Sequence, residues 1–144
     1  MERLRVLLAT DGSEPTIRAA ELLVQMVSEP IQARVFTVIS YTFYPYPLFA
    51  GGQLADPISR VLDVEDLVDE ATRDVKLILE KAGIDVSVGH RFGNVADEIL
   101  TEVEGWDPNL LLLGRRGVRG LERVMGSVSE HVLRRTHVPV LLVP

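Results

Sequence analysis

Four glycines and four arginines crowd one stretch of this chain, and the residue types around them are those that hold an anion. Gly114, Gly117, Gly120 and Gly126 are four of its 11 glycines, and Arg115, Arg116, Arg119 and Arg123 set four positive charges within nine residues. Glycine lets backbone N–H groups approach a ligand closely, and Gly126-Ser127-Val128-Ser129 at a helix start adds a dipole and hydroxyls, the parts of a phosphate cradle. The plain alternative is a glycine-rich turn with solvated arginines. A second loaded stretch is Ala9-Thr10-Asp11-Gly12-Ser13. A carboxylate at Asp11 repels a pyrophosphate but accepts hydrogen bonds from a sugar hydroxyl or a base amine. Its structural alternative is a cap on the first helix or its turn. A donor-rich loop and a nearby acceptor together suit the two halves of a mononucleotide.

Other chemistries fail on spacing. No G-x-x-x-x-G-K-[ST] occurs, and Asp11-Gly12-Ser13-Glu14 is not the dinucleotide G-x-G-x-x-G. Ser127 and His131 lie four apart, within reach on a helix, but no third orienting group for a hydrolase is evident. His90, His131 and His137 lack metal-ligand spacing. A phospho-accepting receiver domain would want an acid after its third strand and a lysine near its last, whereas the only lysines, Lys76 and Lys81, fall in a helix. The absence of cysteine removes disulfides, thiolate catalysis and thiolate metal sites, and fits a reducing compartment. The segment from Tyr41 to Gly52 holds most of a cluster of five of the chain's eight aromatic residues, Tyr41 to Phe49. It suits a lid or base-stacking wall, or equally a loop packed on its own domain or on a second subunit.

These loops need elements to position them. Apolar runs at Arg5–Ala9, Ala33–Ile39, Ile84–Val88, Leu110–Leu113 and Val138–Val143 read as five strands. Between them lie four helical stretches. Ile17, Ala20, Leu23, Val24 and Val27 form one face after Ser13-Glu14-Pro15, a cap and a first-turn proline. From Val64 to Leu79 an apolar stripe is backed by acids, read as a solvated face, and Gly83 closes it. The third helix runs from an Asn94 cap to Val103. The fourth starts at a Ser127 cap with Glu130 three residues on, the spacing of a capping box.

Alternating strands and helices imply a parallel sheet covered on both faces. Leu110–Leu113 suits a strand buried on both sides, and the alternating Ile84–Val88 an edge. In such a sheet ligands bind beyond the carboxyl ends of the strands, which is where both loaded loops fall. The 144 residues, 47% hydrophobic, suffice for one domain spanning residues 1–144 without staples. A net charge of −6 argues against nucleic acid or an anionic membrane as partner. No apolar h-region follows Met1, and no run approaches the ~18 apolar residues of a membrane span, so a soluble cytoplasmic protein is expected.

The chain resembles the universal stress protein family. The likeness lies in the first strand running into Ala9-Thr10-Asp11-Gly12-Ser13-Glu14, in Gly93-Asn94-Val95-Ala96-Asp97-Glu98-Ile99, and in the tail from Leu113-Gly114-Arg115-Arg116-Gly117 through Gly126-Ser127-Val128-Ser129-Glu130 to Val138–Val143. It covers nearly the whole chain, with Tyr41–Asp63 as the variable part. The resemblance implies an open five-stranded parallel sheet of order 3-2-1-4-5, Rossmann-like and of the adenine nucleotide alpha hydrolase type. Its switch point then falls between strands one and four.

The resemblance also implies ATP, with or without Mg²⁺, in members carrying G-x2-G-x9-G-[ST]. Carried over by position, Asp11 would hold the ribose or base, Val38 would offer backbone to adenine, and Gly114, Gly117, Gly126 and Ser127 would line the phosphates. Arg116 lies inside the first glycine pair, where the motif does not fix its role. Here eight residues, Val118 to Met125, separate the glycine pairs instead of nine, and Gly93-Asn94-Val95 replaces the familiar Gly-Asp-Pro. One missing residue shortens the reach of a chain by up to ~3.5 Å. A homodimer through the uncharged strand Val138–Val143 is the implied assembly. Three readings stay open: a nucleotide-binding regulator or sensor without fast turnover, a dimeric interaction module that binds no nucleotide, and a slow ATP-hydrolysing or nucleotidyl-transfer enzyme.

Overall fold

A computed structural model of the chain describes residues 2–40, 49–50, 53–54, 57–115 and 126–144. Its elements are β1 (Leu4–Ala9), α1 (Glu14–Met26), β2 (Ile31–Ile39), the two-residue strands β3 (Phe49–Ala50) and β4 (Gln53–Leu54), α2 (Pro57–Lys81), β5 (Asp85–Phe92), α3 (Val95–Trp106), β6 (Leu110–Gly114), α4 (Ser127–Arg135) and β7 (Val140–Val143). The five long strands form one sheet in the order β5-β2-β1-β6-β7, with every neighbouring pair parallel. Counted in chain order these are strands 3-2-1-4-5, the expected topology. β3 and β4, an antiparallel pair, were not anticipated.

The period-two alternation of the strands sorts their side chains onto two cores. Val6 and Leu8 of β1, Val35 of β2 and Leu112 of β6 pack against Ala19, Ala20 and Leu23 of α1 and Val75 and Leu79 of α2. Leu7, Phe36, Leu111 and Leu113 face the other way, onto Ala96, Ile99 and Val103 of α3 and Val132 of α4. β6 is therefore buried on both faces, as its unbroken leucine run predicts, and β5 lies at an edge, as its alternation predicts.

The helix ends follow local chemistry with two exceptions. Asn94 caps α3, its Oδ1 accepting the Asp97 N–H at 3.1 Å, and Gly83, at φ +78°, turns the chain out of α2. Ser13 takes the N-cap position of α1, but its side chain makes no capping bond. α4 starts one residue earlier than its capping-box spacing implies. Gly126 is its N-cap, in extended conformation, and Ser127 is already helical. Tertiary bonds set this start: the Gly126 N–H donates to the Arg115 carbonyl at 2.7 Å, and Ser129 Oγ donates to the Gly114 carbonyl at 2.7 Å.

β5 runs to Phe92, four residues beyond its expected end, because its ladder with β2 continues as far as Ile39 paired with Phe92. A charged cluster fastens it to α3. Glu102, 8% exposed in its side chain, accepts from Arg34 Nε at 2.6 Å and from Arg91 Nε at 3.0 Å. Gly89 of β5 lies directly under the Arg34 guanidinium, so that a β-carbon there would fall 2.3 Å from Arg34 Nη2.

Candidate functional site

β1 and β6 are the central pair, and their following connections leave in opposite directions, to α1 on one face and to α4 on the other. A cleft of about 910 Å³ opens at their carboxyl ends. Of the residues expected at a site, Ala9, Thr10, Asp11, Val38, Gly114, Gly126, Ser127, Val128 and Ser129 all line it. Arg116 and Gly117 lie outside the described residues, as do Arg119, Arg123 and most of the aromatic segment.

The β1 side of the cleft is built on a chain of hydroxyls. Thr10 Oγ1 lies 2.8 Å from Thr16 Oγ1, which donates to the Ser13 carbonyl at 2.7 Å, and the Gly12 N–H donates to Thr10 Oγ1 at 3.0 Å. Asp11 Oδ1 accepts the Ser13 N–H at 3.0 Å, an Asx turn, so the structural role considered for this residue is present. That turn also presents the exposed carboxylate at the cleft. Gly12 sits at φ +80°. Gly12→Ala is expected to cost about 1 kcal/mol for the left-handed backbone, a fall of roughly 2–4 °C in Tm on thermal unfolding.

The β6 side is held by backbone bonds. The Arg115 N–H donates to the Val143 carbonyl, and its own carbonyl accepts the Gly126 N–H, both at 2.7 Å. Residues 116–125 are thus bracketed by a closed base, whatever their number. Arg115 is half-buried, with its Nε buried and lacking a hydrogen-bond partner among the described residues. Beyond the base, α4 points its first turn, Ser127 to Ser129, at the cleft. The first N–H groups of a helix have no intrahelical acceptor and carry the positive end of its dipole, which suits an anion.

Sequence reasoning missed the third wall. Leu67, Glu70 and Ala71 of α2 line the cleft, although the acids of this helix read as a solvated face. That reading holds for Glu65, Asp66, Asp69, Asp74 and Glu80, which are exposed. It also missed an acid beside His131: Asp97 Oδ1 of α3 lies 3.2 Å from His131 Nε2. Among the described residues no hydrogen bond joins Ser127 to His131, so the serine and imidazole are not assembled as nucleophile and base. No three His, Asp or Glu side chains cluster to hold a metal among the described residues, nor is any helix there long and apolar enough to cross a membrane.

Comparison with known proteins agrees with this architecture. The family model described as the universal stress protein family matches residues 2–144. Universal stress protein MJ0531 of Methanocaldococcus jannaschii is 30% identical over 140 residues, which cover 96% of this chain and 81% of the relative. Among solved structures, hypothetical protein MJ0577 superposes with a TM-score of 0.78 at 22% identity, covering 99% of this chain and 96% of the other. A universal stress protein in complex with cAMP gives 0.66 at 20% identity, covering 99% and 98%. An Arabidopsis thaliana universal stress family protein with AMP bound gives 0.68 at 17% identity, covering 97% and 90%. With the expected sheet order observed and the family model matching residues 2–144, the chain belongs to the universal stress protein family.

Proposed function

We propose that the chain binds ATP or a related adenine nucleotide in the cleft between β1 and β6, and acts as a regulator or sensor without fast turnover. One observation carries the reading: the acceptor-bearing loop at Asp11, the strand end at Val38 and the first turn of α4 converge on a single cleft. Structural neighbours with cAMP and AMP bound support it. In this reading Asp11 accepts from the ribose or base and Val38 offers its backbone to adenine. Gly114, Gly117, Gly126 and the N–H groups of Ser127, Val128 and Ser129 line the phosphates, and Arg116, inside the first glycine pair, supplies a positive charge to the same loop. Mg²⁺ would ride on the phosphates, since no described cluster of side chains offers it a cage. The described residues lining the β6 side, Gly114 and Gly126 to Ser129, include no carboxylate or imidazole to activate water, which is why rapid hydrolysis is not part of the proposal.

Calorimetry with ATP and Mg²⁺ tests it. At a hundredfold excess over Kd, binding should add about 2.7 kcal/mol of stability, seen as a rise of roughly 5–10 °C in Tm. Gly126→Val, which places a branched side chain at the mouth of α4, should abolish both the heat and the rise. Absence of both in the unaltered protein at millimolar ATP overturns the reading.

The proposed assembly is a homodimer through the Val138–Val143 segment. Val140, Leu141 and Leu142 of β7 are only half-buried, and β7 ends the sheet. A second copy would cover them, although Pro139 and Pro144 lack N–H donors and shorten any ladder. Sedimentation equilibrium should give twice the 16.0 kDa chain mass, and Leu141→Lys should return the monomer.

A further inference from the structure

The second helix brings a carboxylate to the cleft. Leu67, Glu70 and Ala71 have the i, i+3, i+4 spacing that places three side chains on one helical face, and all three line the cleft with Asp11 and Gly12. The approach of α2 is fixed at this point. Thr10 Oγ1 lies 3.2 Å from the Ala71 carbonyl oxygen. A β-carbon on Gly12 would lie 3.5 Å from Ala71 Cα and 3.6 Å from the Glu70 carbonyl oxygen. Glu70 therefore stands beside the Asp11 turn, exposed and lining the cleft.

Two carboxylates on adjoining walls turn phosphate towards the opposite side, where α4 points its N-terminus. They also offer more acceptor sites than one sugar hydroxyl uses, since each carboxylate has about four. A ribose carries two adjacent hydroxyl donors. Asp11 already gives Oδ1 to the Ser13 N–H, so a second acid is well placed to take the second hydroxyl.

We infer that Glu70 reads the sugar: it accepts one of the two ribose hydroxyls while Asp11 accepts the other, and so makes the cleft selective for ribonucleotides. The inference rests on the nucleotide reading proposed above. It is tested by titrating the unaltered protein, Glu70→Gln and Glu70→Ala with ATP, 2′-deoxy-ATP and 3′-deoxy-ATP. The unaltered protein should bind ATP about tenfold or more tightly than one of the two deoxy forms, as a charge-assisted hydrogen bond allows. In Glu70→Ala that preference should shrink to within about twofold, and Glu70→Gln, whose amide oxygen still accepts, should fall between. Full selectivity in Glu70→Ala overturns the inference and leaves the nucleotide reading standing. So does an equal loss of affinity for all three nucleotides, or an unaltered protein that binds all three alike. If the unaltered protein binds none of them, the nucleotide reading and the inference fall together.

Discussion

Replacing Phe36 with alanine is expected to lower the stability of the protein by about 3–5 kcal/mol, a fall of roughly 6–20 °C in Tm. Phe36 is fully buried and heads the large side chains that are. It packs among Leu7, Ile99, Val103 and Leu111, so its ring joins β1, β6 and α3 from the middle of β2. Its carbonyl accepts the Thr10 N–H at 2.8 Å, and the residue also lines the cleft. Truncation opens a cavity beneath Ala9 and Thr10, and the strand neighbours Leu7 and Leu111 are fixed by ladders on both sides, which leaves α3 as the element that could move in. Phe36→Leu, which leaves most of the volume filled, should cost about 1–1.5 kcal/mol. Urea and thermal unfolding measure both. A cost below about 1 kcal/mol for Phe36→Ala would show that α3 settles into the space and that no cavity is left.

Glu102→Ala is expected to cost about 2–3 kcal/mol. Removing one member of a buried ion pair costs about 3–5 kcal/mol because the partner is stranded. The lower figure applies because the side chains of Arg34 and Arg91 are 25% and 41% exposed and water recovers part of their charge. After the change, Arg34 keeps, among the described residues, only a long contact to Ser87 Oγ at 3.4 Å. The loss should be read by thermal unfolding together with hydrogen exchange of β5, whose amides should lose protection before those of β1. Glu102→Gln should recover less than half, since an amide N–H meets one of the two guanidinium groups donor to donor. Gly89→Ala reaches the same cluster from below. Its β-carbon pushes the Arg34 guanidinium, the far end of a flexible side chain, and strains its bond to Glu102, so a cost of at most about 1 kcal/mol is expected. If Glu102→Ala leaves both Tm and exchange unchanged, the cluster is a surface feature with no hold on the edge.

What was legible in the sequence was whatever short-range pattern decides. The apolar run of β1, the alternation of Ile84–Val88 in β5, the leucine run of β6 and the stripe of α2 point to the sheet and its two covers, and the loops at Asp11 and Gly126 are legible because they follow strands. The remainder depends on partners distant in the chain. β5 was read four residues short because Gly89-His90-Arg91 looks polar until Glu102, on another element, neutralises its arginine. Ser127 has the spacing of a cap, yet bonds to Gly114 and Arg115 move the start of α4 to Gly126. Glu70 belongs to an acidic face by any local measure, and only the packing of α2 on Gly12 turns it to the cleft. Asp97 stands 34 positions before His131, and no spacing rule links them.

The hydrogen bond from the Gly126 N–H to the Arg115 carbonyl separates two quantities that a motif count treats as one. The position of α4 is held at the base of the 116–125 segment, and toward that base the length of the segment counts through the entropy of closing it. Near ten residues, one more or one fewer changes that entropy by about 0.1 kcal/mol. A deletion here is thus a change of contents between fixed rims. A change of length between Arg115 and Gly126 is expected to leave the frame of α4 in place while it alters what stands between the two rims, which makes the segment a place to rewrite binding preference by grafting.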